Sequence, residues 1–255
     1  MSDICPCHRI EQLEGMVEEV KHTVKVCWSG GKDSTCALMQ HIMRGDKVKI
    51  VCYIPMFTKD IPLILKNHCE FLLKTANFFR SQGADVYIVT GETYVDRVTH
   101  RATKGKYEGL VLGFPYFNRG QCHFKRDSKL KAIKMCDVGH YDYEDIGIAF
   151  DEVDRHKQLS EKLRSILVEL RITEDQAYQF CVANNLLSPH YGVNKRDGCT
   201  LCPNASHRER EQWFMDYPEA IPIIKEVQRI VQIDKPYNFP LRGHSWFIDE
   251  SGVIV

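Results

Sequence analysis

Ser29-Gly30-Gly31-Lys32-Asp33-Ser34 sits between a run that reads as a buried strand (residues 23–29, TVKVCWS) and a helical pattern over 34–44 that stops at Gly45. This hexapeptide is the strongest constraint on the fold. Two adjacent glycines let the backbone turn sharply and present N–H groups with no Cβ in the way. A helix starting there adds partial positive charge at its N-terminus, Ser29 and Ser34 offer hydroxyls, and Lys32 offers a full charge. The arrangement suits a phosphate or a pyrophosphate leaving group; the plain alternative is a glycine-rich turn with a solvated lysine. The spacing is not Gly-x4-Gly-Lys-Ser/Thr, which disfavours hydrolysis at a γ-phosphate.

Further β-rich runs at 47–56, 84–90, 109–113 and 145–150 alternate with helical spacing, including a stretch from Ile61 through Leu72 and Phe79 to Gly83. Strand–helix–strand repetition predicts an α/β fold, a Rossmann-like parallel sheet covered by helices on both faces. After about Leu159 the character changes. Thr173-x-x-Gln176 and Ser206-x-x-Glu209 read as capping boxes opening helices, and Ile224, Val227, Ile230 and Val231 share a helical face. The expected organisation is an N-terminal helix or tail (1–22), a nucleotide-binding α/β domain (23–160), and a mostly helical C-terminal region with a Cys-x-x-Cys element (161–255).

Hydrophobic residues at 44% and charged residues at 27% exclude a wholly disordered, collagen-like or coiled-coil chain. Charges balance at 34 of each sign, which excludes a globally basic nucleic-acid binder. Locally they do not: residues 97–134 carry ten Lys/Arg against two acids, and 137–161 carry eight acids against two bases. These are either solvated faces or a polyanion pocket beside an acidic, metal-binding wall. No run nears the ~20 apolar residues of a membrane span, and the start Met-Ser-Asp-Ile-Cys-Pro-Cys-His lacks the apolar core of a signal peptide. The expectation is a cytoplasmic protein with no membrane partner, whose eleven cysteines are thiols, metal ligands or redox centres. Cys27, Cys36, Cys52 and Cys181 fall inside apolar patterns and read as core residues.

Asp151 and Glu152 follow the last strand-like run, where they can hold Mg²⁺ by a few oxygens, or else cap a helix and pair with Arg155. Arg126 and Lys129 can neutralise phosphate, with weaker claims for Arg119 and Lys125. Cys199-Thr200-Leu201-Cys202-Pro203 is a knuckle open to three readings: a metal site, a redox dithiol, or inert thiols. A structural Zn²⁺ needs four ligands, and Cys122, Cys136, Cys5, Cys7 and His207 are the residues available to complete the set. Tyr53, Phe57, Tyr116 and Phe117 either stack a base or pack in the core.

The SGGKDS loop resembles the PP-loop of the adenine-nucleotide α-hydrolase superfamily, which includes ATP pyrophosphatases, tRNA thiolases and phosphoadenosine-phosphosulfate reductases. Gly113-Phe114-Pro115 with Cys122-x3-Arg126-Asp127-x-Lys129 resembles the reductase-like members, as do Ile146-Gly147-Ile148-Ala149-Phe150-Asp151-Glu152-x2-Arg155, Ile172-Thr173-Glu174 and Arg196-x-Gly198-Cys199-x2-Cys202-Pro203-Asn204. One departure matters. The reductases proper carry a C-terminal Glu-Cys-Gly-x-His nucleophile segment, whereas here no cysteine follows Cys202. The resemblance implies ATP or a related adenine nucleotide bound by Ser29, Gly30, Gly31, Lys32, Asp33 and Ser34, with Mg²⁺ on Asp151 and Glu152. It implies chemistry at the α-phosphate served by Lys32, Asp33, Arg126, Lys129 and Cys122, adenylating an acceptor (a small molecule or a nucleic-acid base). Cys122, Cys199 and Cys202 imitate the three ligands of a [4Fe–4S] cluster in thiolation enzymes, with Zn²⁺ the other candidate. Alternatives within the resemblance are a thiol-dependent reductase of an adenylyl-sulfate and a nucleotide-sensing module that does not turn over. A homodimer is compatible with each.

Overall fold

The computed structural model describes residues 21–114, 117–118, 121–193, 198–202 and 204–234. Along them run β1 (Thr23–Trp28), α1 (Lys32–Arg44), β2 (Lys47–Tyr53), α2 (Lys66–Ser81), β3 (Asp85–Val89) and α3 (Tyr94–Thr99). A two-residue hairpin follows, β4 (Phe117–Asn118) and β5 (Gln121–Cys122), then a π-helical turn, Lys125–Leu130, that runs into α4 (Lys131–Met135). The remainder comprises β6 (Tyr143–Asp145), α5 (Val153–His156), β7 (Leu163–Arg164), α6 (Ile166–Glu169), α7 (Glu174–Ala183), a 3-10 turn at Pro189–Gly192, α8 (His207–Asp216) and α9 (Ala220–Asp234).

Five strands form one sheet in the order β3-β2-β1-β6-β7, every neighbouring pair parallel. The alternation in TVKVCW and KVKIVCY sends Val24, Val26, Trp28, Val48, Ile50 and Cys52 to one face, where Leu38 of α1 and Leu72, Ala76 and Phe79 of α2 cover them. Val51 and Tyr53 point to the other face, against Ile133 of α4 and Val138. The α/β expectation holds, with helices on both faces. Because β1 lies between β2 and β6, the winding reverses there and the carboxyl ends of β1 and β6 flank a crevice, the place where such sheets take ligands.

The structure departs from several sequence expectations, each for a local reason. The run 109–113 is not a strand: Gly109 and Gly113 adopt φ of +80° and +75°, and Val111 makes only an isolated bridge to Arg101. The strand expected over 145–150 is instead Tyr143–Asp145, because Gly147 turns the chain onto α1. The edge strand β7 has no periodic signal at two residues long. The helix expected from Ile61 begins at Lys66, since the carbonyls of Pro62 and Leu63 accept from Trp213 Nε1 at 2.9 Å and from Thr200 N at 3.0 Å. Bonds to the C-terminal part thus hold residues 61–65 out of the helix.

Thr173 forms a full capping box with Gln176, and the Ser206 hydroxyl accepts from Glu209 N, so both predicted helix starts are in place. The C-terminal helices share a core with the first half: Phe57, Leu65, Tyr94 and Phe114 pack in one cluster with Leu201, Trp213, Phe214 and Ile224. Phe57 is fully buried there, which fits the core reading rather than base stacking. Cys36, Cys52 and Cys181 are buried as expected, while Cys27 is half-buried and its thiol donates to Glu144. Tyr116, Arg119, Arg196, Pro203, Cys5, Cys7 and the expected 1–22 segment up to residue 20 lie outside the described residues. Among the described residues no helix is long and apolar enough to cross a membrane.

Candidate anion-binding site

The site grows from the junction of β1 and α1. Gly30 has φ of +80°, and a Cβ built on it would lie 2.6 Å from Leu72 Cδ2 and 2.8 Å from His68 Cε1. Only a glycine fits both the dihedral and the space. Gly31 is the N-cap of α1 and has no side chain to cap it, so the positive end of the helix lies at the carboxyl end of β1 and its first amide takes a partner from elsewhere in the chain. Trp28 Nε1 donates to Thr35 Oγ1 at 2.9 Å, tying the strand end to the first turn. On the far side, a Cβ on Gly147 would come within 2.5 Å of Ser34 N. The loop after β6 therefore lies directly on the start of α1, and the two carboxyl-end loops of the crevice touch.

Lys32 is the charged centre of this junction. Its ammonium donates to Asp33 Oδ1 at 2.8 Å and to Glu174 Oε1 at 2.8 Å, with its side chain only 15% exposed. Burial by itself would lower its pKa, but the hydrogen bonds to Asp33 and Glu174 outweigh that and hold the ammonium well above its ordinary value. Burial raises the Asp33 carboxyl, with Lys32 opposing and the nearby charges of Glu174 and Glu152 adding to the rise. The backbone N–H of Lys32 donates to the Tyr191 hydroxyl at 3.0 Å, and its carbonyl accepts from the Cys181 thiol at 3.3 Å. The Ser34 hydroxyl donates to Gly31 O, so it braces the loop.

The two acids of the predicted Mg²⁺ wall are near this junction and already bonded to protein groups. Asp151 Oδ1 accepts from Glu174 N at 2.9 Å, and Glu152 accepts from Ala149 N at 3.0 Å and from Arg155 Nη1 at 2.6 Å. The Arg155 ion pair is the alternative to a metal that the sequence left open; Glu152 gives no side-chain cap to α5, and Asp151 bonds instead to the first amide of α7. Arg126 is 61% exposed and forks onto Asp127, which also takes Arg97. The Arg126 bond first, then Arg97, holds the Asp127 carboxyl below its usual range. Lys129 lies deeper; burial pushes the thiols of Cys27, Cys52 and Cys199 up to about 12, and the Lys129 charge only partly opposes that rise.

Cys122 and Cys199, 77 positions apart, pack against the same core cluster. Burial, then Cys202, pushes the Cys199 thiol up to about 12. The knuckle is closed by Cys202 N donating to Cys199 O at 3.0 Å and docked through Thr200 on Leu63. Yet no three His, Cys, Asp or Glu side chains among the described residues are grouped so as to hold a metal ion. The donor chemistry suits a soft metal, while the grouping among the described residues does not fit one.

Glu174 and Tyr191 are the residues that sequence reasoning did not assign to the site. No local spacing links positions 32, 174 and 191; the packing of α7 on α1 brings Glu174, and the 3-10 turn beyond α7 brings Tyr191. A separate cleft of about 550 Å³ opens at the carboxyl end of β3, lined by Thr90, Gly91, Glu92, Arg97, Asp127 and Lys131 among others. It was equally silent in the sequence, because the π-helical turn that walls it has no periodic signature. No family model matches the chain, and no curated protein matches it.

Proposed function

We propose that the chain binds ATP or a related adenine nucleotide, with its phosphates at the Ser29–Ser34 loop and the start of α1, and acts at the α-phosphate. The observation that carries this reading is the placement of Gly30-Gly31 and the start of α1 at the carboxyl end of β1, beside the switch point between β1 and β6. An acceptor nucleophile, on a small molecule or a nucleic-acid base, forms a bond to the α-phosphorus as the bond to the leaving oxygen breaks. The acceptor proton passes to a base and pyrophosphate departs. Lys32 and the α1 amides stabilise the charge that accumulates on the departing oxygens. Mg²⁺ on Asp151 and Glu152 would require rearrangement of the bonds they make to Glu174 N and Arg155. Lys129 supports the same polyanion from the side of the thiols.

Calorimetric titration of ATP tests the reading. Lys32→Ala is expected to weaken binding by about 1.5–3 kcal/mol, the worth of a charge-assisted hydrogen bond; equal affinity in wild type and variant would remove the loop from the site. Pyrophosphate release on adding candidate acceptors then separates turnover from nucleotide sensing. A second reading is thiol-dependent reduction of an adenylyl-sulfate by Cys122 or the Cys199/Cys202 pair, supported by the packing of Cys122 and Cys199 against one core cluster. Release of sulfite in the presence of a dithiol reductant would support it, and its absence with a bound adenylyl-sulfate would dismiss it.

A further inference from the structure

We infer that Glu174 and Tyr191 set the affinity of the phosphate site by competing with an incoming phosphate for the donors of Lys32. This rests on the nucleotide reading above. Lys32 brings two kinds of donor to the junction, a backbone N–H at the start of α1 and an ammonium. The first is taken by the Tyr191 hydroxyl at 3.0 Å, and the second is shared between Asp33 and Glu174 at 2.8 Å each. Asp33 is the neighbour of Lys32 and travels with it. Glu174 and Tyr191 do not: they belong to the first turn of α7 and to the 3-10 turn at Pro189–Gly192, both in the C-terminal helical part.

The competition is chemically uneven. A phosphate oxygen accepts a charge-assisted bond from a helix amide, stronger than the bond to a neutral phenol. A phosphate also carries more charge than the Glu174 carboxylate, which is half exposed and therefore partly screened. An arriving phosphate thus replaces both groups, at a cost set by two weak contacts. The exchange frees the first turn of α7 from Lys32 while the buried packing of Ala177 and Cys181 on Cys36 and Ala37 keeps α7 against α1.

The test is calorimetric titration of the full chain with ATP and, separately, with inorganic pyrophosphate. Wild type is compared with Glu174→Gln, Tyr191→Phe and Asp175→Asn. Asp175 is the exposed acid beside Glu174 on the same turn and controls for the loss of one charge. Glu174→Gln and Tyr191→Phe are each expected to bind both ligands about twofold to fivefold tighter, the scale of a part-exposed contact. Asp175→Asn is expected to match wild type. If wild type binds but the first two variants bind equally or more weakly, the competition is overturned and the nucleotide reading stands. Equal tightening by Glu174→Gln and Asp175→Asn would also overturn it, since long-range charge would then suffice. If none of the four proteins binds either ligand, both readings fall. Tyr191→Phe is nearly isosteric, so it decides the matter even if Glu174→Gln were poorly folded.

Discussion

At the scale of single residues, Gly30 and Gly83 share a left-handed backbone but not their surroundings. Gly30 has φ of +80° with Leu72 and His68 pressed against it, whereas Gly83 has φ of +86° and nothing within 4 Å. Gly83→Ala should cost only the dihedral strain, about 1–2 kcal/mol. Gly30→Ala should cost more, because the methyl also displaces side chains packed under β1; urea denaturation of the two variants measures the difference, and equal losses would refute it. His123 gives the other residue-scale expectation. Burial, followed by the charge of Arg97, lowers its pKa to about 4 from an ordinary 6.5. Between those values the unfolded chain takes up a proton that the folded protein refuses, so stability falls as pH drops from 6.5 towards 4. Over that window the loss is on the order of 3 kcal/mol. The slope should flatten in His123→Gln when unfolding is followed at pH 7 and pH 4.5, and an unchanged slope would assign the acid sensitivity elsewhere.

At the scale of elements, the informative cases are those in which a local pattern met a distant partner. Residues 61–65 have helical spacing, yet Trp213 and Thr200 take two of their carbonyls and the helix waits until Lys66. Trp213 is fully buried and ring-packed against Phe57, with centroids 5.1 Å apart. Trp213→Ala should therefore lower stability by about 3–5 kcal/mol, as expected for truncating a large core aromatic. It should also destabilise the Ile61–Leu65 docking on the first half of the chain. Hydrogen exchange at Thr200 N, bonded to Leu63 O, is the local readout; protection equal to wild type would separate the two effects. By contrast, the start of α7 was legible from Thr173 and Gln176 alone, because a capping box closes within four residues.

At the scale of the whole molecule, the shared cluster of Phe57, Tyr94, Leu201, Trp213 and Phe214 means that the segment after β2 and the helix α3 after β3 are buried together with the C-terminal helices. Tryptophan fluorescence and far-ultraviolet dichroism should report one coincident unfolding transition, since Trp28 reads the sheet and Trp213 the helices. Two separated transitions would contradict a common core. The α/β class, the first three strands, the helix caps and the glycine loop followed from the sequence, because short β-rich apolar runs, capping and positive φ are properties of a few neighbouring residues. The strand order β3-β2-β1-β6-β7, the edge strand β7, and the bonds that Glu174 and Tyr191 make to Lys32 did not. Each of those depends on contacts between residues far apart in the chain, for which hydrophobic period and local charge carry no information. Lys32 shows the division most plainly. Its place in the loop is written in six consecutive letters, but Glu174, which shares its ammonium with Asp33, and Tyr191, which takes its backbone N–H, come from 142 and 159 positions away and meet it only in the folded chain.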